Sequence, residues 1–282
     1  MTRRNTALLA LMLLFFQIRA IENYSMKEAL DKKIIDLIIK GKGGFTGPVI
    51  EMKMKNISQK PVNIRVDRGM ILHPGDKEMQ DILVTQAIEV MLPVRAEKSL
   101  IVNGMCCTAG NIPPSPGMLF KTGKMADSSL VALTQYIDKN KLYQDPASQH
   151  AVWVFSDQKR IEGIDVTVPS NKPLVELVCK LKRAIKPVYS IEYEQQPGMA
   201  FSGKAVKVKG FFKTVVEKQS MLTMALYDED GKQLSADHVP GPPVAGSYNF
   251  EYAFKVKGYA SGVYYGKVII DGQVRSQVKL EL

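Results

Sequence analysis

The stretch PVIEMKMKNISQKPVNIRV (residues 48–66) sets the period of the first half of the chain. Ile50, Met52 and Met54 alternate with Glu51, Lys53 and Lys55, so one face is apolar and the other charged. That alternation specifies a half-buried strand. A turn at Ser58–Pro61 leads into Asn63, Ile64 and Val66, and the pair reads as a β-hairpin. Further strands are expected at Met70–His73, Asp81–Gln86, Ile88–Leu92 and Ser99–Asn103, which together predict an antiparallel sheet. Upstream, YSMKEALDKKIIDLIIKGKGG (24–44) reads as a helix. Ser25 and Glu28 form a capping box, Leu30, Ile34, Leu37 and Ile38 an apolar stripe, and Gly41, Gly43 and Gly44 a stop.

Downstream the period changes to that of a helix. MADSSLVALTQYIDKN (125–140) places Leu130, Leu133, Tyr136 and Ile137 on one face, with Asp127 or Ser128 as cap. DPASQHAVWVFSD (145–157) opens with Asp145 as N-cap and Pro146 at the first helical position. SNKPLVELVCKLKRAI (170–185) has Ser170 as cap and Leu174, Leu177, Val178 and Leu181 as stripe, with Cys179 off it. Residues 21–187 thus predict an α+β domain, an antiparallel sheet whose inner face is buried by a helical layer. Around Lys186–Tyr189 the composition shifts, with Pro187 as punctuation. From 188 to 282 the sequence predicts strands alone, at Ser190–Glu194, Ala205–Phe212, Met221–Tyr227, Tyr248–Lys257, Gly262–Ile270 and Gln273–Leu282. Gly231 and Gly272 supply positive-φ turn positions. Such spacing predicts an immunoglobulin-like β-sandwich.

The first twenty residues have the layout of a secretory signal peptide: Arg3 and Arg4, an apolar run from Ala7 to Phe16, and small Ala20 at the cleavage position. The run is far shorter than the roughly 20 residues a membrane-spanning helix needs. No later stretch is long and apolar enough to span, so an exported product without an integral membrane segment is expected. Of the net charge of +10, the three arginines of the leader supply +3. The remaining charges are interspersed, which argues against a nucleic-acid footprint. Cys106, Cys107 and Cys179 are too few for a disulfide scaffold and lack the paired spacing of a zinc site. His73, His150 and His238 are scattered, so neither a metal nor a cofactor is expected. Asp228 and Asp230 in YDEDGK lack the later glutamate of a calcium loop and read as a hairpin turn.

Two resemblances follow from quoted residues. LYDEDGKQL (226–234), GSYNFEYAF (246–254) and GYASGVYYGKVIIDGQVRSQVKLEL (258–282) resemble the C-terminal sandwich domains of secreted bacterial proteins, especially the sorting tails read by type IX secretion. The usual proline-asparagine-proline entry is replaced here by YEQQPGMAFSG (193–203). SQHAVW (148–153) resembles the glutamine motif of thioester domains in bacterial surface adhesins, with serine where threonine is usual. That resemblance implies a bond from Cys106 or Cys107 to the Gln149 side chain, which a host nucleophile would attack.

The expectation is a non-enzymatic, exported two-domain protein of the bacterial envelope, secreted, periplasmic or on the outer surface. Its first domain would bind an unknown protein or glycan at a cell surface, with His150 and Trp153 as candidate contacts, and its second would support or address it. The first alternative is the covalent adhesin. The second is a cysteine hydrolase using Cys106 or Cys107 as nucleophile, His150 as base and Asp145 or Asp157 to orient it. Gln149 and His150 are adjacent on a helix and point about 100 degrees apart, so only one can face the cysteines. Trp153 is expected to anchor its helix on the sheet.

Overall fold

The computed structural model describes residues 21–76, 78–239 and 243–282; the expected leader at 1–20 lies outside them. The chain is β-rich. Strand β1 (Glu22–Ser25) leads into α1 (Met26–Asp31), where Ser25 and Glu28 do form the capping box. The expected helix ends there. Lys33 takes a left-handed backbone, and β2 (Ile35–Gly41) follows. The isoleucine-rich run satisfies both periods, and the β-branched content with a partner strand decides between them. Ile35 and Ile39 turn inward, while Ile38 remains exposed.

The partner is β3 (Thr46–Asn56), paired with β2 along its whole length from Ile35↔Asn56 to Gly41↔Ile50. The expected hairpin between β3 and β4 (Val62–Val66) is therefore corrected: the turn is present, but it carries the chain out of one sheet and into another. Buried Asn56 makes that exit possible. Its Nδ2 donates to the carbonyls of Lys60, Leu92 and Pro93, and its Oδ1 accepts from the Ser58 N–H.

Strands β5 (Met70–Pro74), β6 (Ile82–Val84), β7 (Ile88–Leu92), β8 (Glu97–Cys106) and β9 (Leu119–Met125) complete the strands of the first half. The expected open sheet is instead a closed barrel in the order β2-β3-β8-β6-β5-β9. Closure buries the inner face, with Met26 and Ala29 of α1 joining the same core. A separate sheet, β1-β4-β7 with a parallel β1–β4 pair, packs with α1 on the same core. At Gly104 a Cβ would stand 2.5 Å from Ile82 Cγ2, so only glycine allows β8 and β6 to approach there.

Helices α2 (Ser128–Asn140), α3 (Pro146–Ser156) and α4 (Lys172–Lys182) bury a second core, in which Leu133, Ile137, Val152 and Val178 pack with Leu83 and Met105 of the barrel strands. Asp127 caps α2 and Asp145 caps α3, as read from the sequence. For α4 the N-cap position is Asn171, not Ser170, because a 3₁₀ turn at Pro169–Asn171 precedes it. Cys179 lies on the buried stripe beside Val175 and Val178, while Leu177 is only partly buried.

Seven antiparallel strands follow: β10 (Tyr189–Tyr193), β11 (Ala205–Val216), β12 (Leu222–Asp228), β13 (Gln233–His238), β14 (Gly246–Lys255), β15 (Val263–Ile270) and β16 (Gln273–Glu281). They form a three-stranded sheet, β10-β11-β14, and a four-stranded sheet, β13-β12-β15-β16. Phe212, Tyr252 and Phe254 of the first share one core with Leu226, Val268 and Leu280 of the second. Gly231 and Gly272 hold positive φ at the expected turns. Strand β13 went unread because it is a mostly exposed edge with little apolar alternation.

Candidate functional site

Helix α3 is the hub where barrel, helical layer and C-terminal sheet meet. Its first turn presents Gln149, which is 1% exposed. The Gln149 Nε2 donates to the Cys106 carbonyl at 2.8 Å, and its Oε1 accepts from the Cys106 N–H at 3.2 Å. A side-chain amide thus pairs with the end of β8 as a neighbouring strand would. Two turns later, Ser156 Oγ donates to the Cys107 carbonyl at 2.6 Å, and Asp157 accepts from the Ala109 N–H at 2.9 Å. The segment after β8 is therefore tied to α3 along its length.

The cysteines themselves are free and buried. Cys106 belongs to the barrel core and Cys107 to the helical core, as alternation along a strand requires. Both lie at the start of the proline-bearing CCTAGNIPPSPG segment (106–117), and both are buried. Burial, with neighbouring Cys107 adding to it, pushes the Cys106 thiol far up. Burial and then the Asp81 carboxylate push Cys107 up to about 12, against a backbone hydrogen bond at Leu83. Neither is primed as a thiolate near neutral pH.

The structure brings Gln149 to the cysteine segment and sends His150 elsewhere. His150 Nε2 lies 2.9 Å from the Arg160 carbonyl. A carbonyl only accepts, so Nε2 carries the proton and Nδ1 is left as acceptor. Burial pushes the imidazole below its usual value, partly offset by that carbonyl, and Lys159 lowers it further. The ring is stacked on Tyr193 at 6.1 Å and edge-on to Trp153 at 5.9 Å. Gly163 permits this placement, since a Cβ there would stand 2.0 Å from the imidazole. His73 is paired with Asp81 at 2.8 Å, and His238 with Thr223 at 2.9 Å. Among the described residues no group of three His, Cys, Asp or Glu could hold a metal ion.

Trp153 does not anchor α3 on the main cores, which corrects the sequence reading. It forms a small cluster of its own with Ala109 and Ala200, with Phe45 and Phe201 packed against them. Ala200 and Phe201 come from the loop between β10 and β11. Trp153 is 4% exposed, and its Nε1–H has no hydrogen-bond acceptor among the described residues. A buried donor left unmade costs about 1–3 kcal/mol, so it calls for an explanation.

Beside this tryptophan lies a cavity of about 650 Å³ at the seam between α3 and β10. That is within the usual range for small-molecule sites, roughly 300–1,000 Å³. It is lined by buried His150 and Trp153, half-buried Tyr193 and Phe201, and exposed Gln144 and Gln195. The wall toward the sheet carries Asp165, Glu192 and Lys209. Lys209 is ion-paired with Asp165 and lies 3.5 Å from Glu192. Burial works to raise the Asp165 carboxyl, but Lys209 and the Thr167 hydroxyl and N–H outweigh it and hold it below its ordinary value. Arg160 fastens the seam, donating to Tyr189 Oη and to the Glu281 carbonyl, each at 2.9 Å. Sequence reading found Trp153 and His150 but missed Tyr193, Phe201, Asp165 and Lys209, which lie in other segments and meet only on folding.

No helix among the described residues is long and apolar enough to cross a membrane. No family model matches the chain, and none of the curated proteins matches it.

Proposed function

We propose that this is an exported, non-enzymatic binding protein of the bacterial envelope, acting in the periplasm, on the outer surface or in the medium. In this reading residues 1–20 are the leader, 21–187 the α+β binding domain, and 188–282 an immunoglobulin-like sandwich that supports or addresses it. One observation carries the binding role: the seam cavity beside Trp153, whose indole N–H lacks an acceptor. Aromatic rings, exposed amides and no primed nucleophile make a site suited to holding a ligand. The chain contains a single tryptophan, so its emission reports on this cavity alone. Titration with small sugars, amines and short peptides should shift that emission with one class and raise the melting temperature in proportion to occupancy. Silence across all classes refutes the binding role.

The covalent-adhesin reading is the second: Gln149 reaches the cysteine segment, with its amide on the Cys106 backbone. Attack of a cysteine Sγ on Gln149 Cδ would form the acyl–sulfur bond and release ammonia. The intact mass of secreted protein would then fall by one ammonia, and methylamine would add to it. An unchanged mass with no methylamine adduct removes this reading.

A further inference from the structure

We infer that the seam cavity holds the ring of a neutral saccharide, admitted when the loop at 195–203 lifts from Trp153. The inference rests on the cavity being the ligand site and names what enters it. A pyranose ring offers an apolar C–H face and a rim of hydroxyls that both donate and accept. The cavity matches both. Tyr193 and Phe201, half-buried and 4.6 Å apart edge to face, supply the aromatic surface. Gln144 and Gln195, both exposed, supply amides that donate and accept. Trp153 Nε1–H supplies the donor that lacks an acceptor.

The charges decide against a cationic ligand. Aromatic rings beside carboxylates would suit an ammonium group. Here, however, Asp165 is paired with Lys209, Glu192 with Lys207 at 3.1 Å and Glu194 with Lys257 at 2.7 Å, which leaves Asp145, hydrogen-bonded to the Ser148 N–H, as the one carboxylate among these four without a cation. The three paired carboxylates still have lone pairs for hydroxyls, but little free charge for a cation.

The loop is the entrance. Its base is closed by the Glu194 N–H donating to the Lys204 carbonyl at 2.8 Å, and Gly198 and Gly203 hold positive φ within it. Ala200 and Phe201 cover Trp153, with Phe201 5.6 Å from the indole. Both residues lie outside strands β10 and β11.

The test uses the full secreted chain and calorimetric titration with glucose, mannose, N-acetylglucosamine and cellobiose, with tetramethylammonium as the cationic probe. At least one saccharide should bind at millimolar concentration or below. Phe201→Ala should weaken it about tenfold, the worth of one aromatic contact. Trp153→Phe keeps an aromatic ring and removes the N–H, and should weaken it roughly three- to tenfold. Binding of tetramethylammonium alone overturns the saccharide assignment and leaves the cavity as a ligand site. Saccharide binding that both variants leave unchanged places the site elsewhere and overturns both readings. No response to any of the four sugars overturns the inference.

Discussion

Gln149 and Trp153 stand one helical turn apart on the same face of α3, and both are buried, yet their polar groups meet opposite fates. The region around Gln149 is closed: the amide's donor and acceptor are both used on the Cys106 backbone. The region around Trp153 is unfinished: among the described residues the indole N–H has no partner, and Phe201 from a loop packs on it, at a cavity that both Trp153 and Gln149 line. Burial alone therefore does not separate a structural polar residue from a functional one. These two differ in satisfaction, and among the described residues Gln80 Oε1, Thr85 Oγ1 and Tyr252 Oη share the unpartnered state of Trp153 Nε1 without lining the cavity.

Substitutions can break that contrast. Trp153→Ala should have the largest effect, a loss of about 3–5 kcal/mol in urea unfolding, since it empties a packed aromatic site. Gln149→Leu should cost about 1–3 kcal/mol, because it leaves the Cys106 carbonyl without the amide that satisfies it. A loss near zero would show that β8 does not need this helix for its end, and the contrast would fail. Trp153→Phe should stay within about 1.5 kcal/mol of wild type, because lost volume is offset by removing an unmet donor. A loss as large as that of the alanine variant would mean that the N–H is satisfied in solution.

The seam adds a pH dependence. The Asp165 carboxyl is held below its ordinary value of 3.8 in the folded protein. Its contribution is fully present above that value and is lost as the pH falls through the folded pKa, below about 4. Melting temperature measured from pH 6 downward should therefore drop more steeply for wild type than for Asp165→Asn. Equal slopes would show that the Lys209 pair does not hold the seam. This effect is the smallest, since the pair is partly exposed and screened.

Much of the fold was legible. Strand β7 and the caps of α2 and α3 were read correctly, because short-range alternation and side-chain capping are local effects. The seven-strand segment was legible except for β13, an edge whose side chains face water. The run from Ile34 to Ile39 was misread, since β-branched residues at overlapping spacings fit helix and strand alike. The β3–β4 turn was placed correctly but joined to the wrong partner, because pairing depends on strands far away in sequence. Of the candidate site, α3 announced Trp153, His150 and Gln149 through its composition, but not which of them would be satisfied.

By itself, then, the sequence located many of the strands and helices, though not β1, β2, β9 or β13, and showed that one helix carries an unusual set of polar and aromatic residues. Those properties follow from backbone preferences and hydrophobic period within a few residues. Only the tertiary structure decided that the first sheet closes on itself, that Gln149 is spent on the Cys106 backbone, and that Trp153 meets Tyr193 and Phe201 across a cavity. Such pairings join groups many residues apart, and their free energy exists only once the intervening chain has been folded around them.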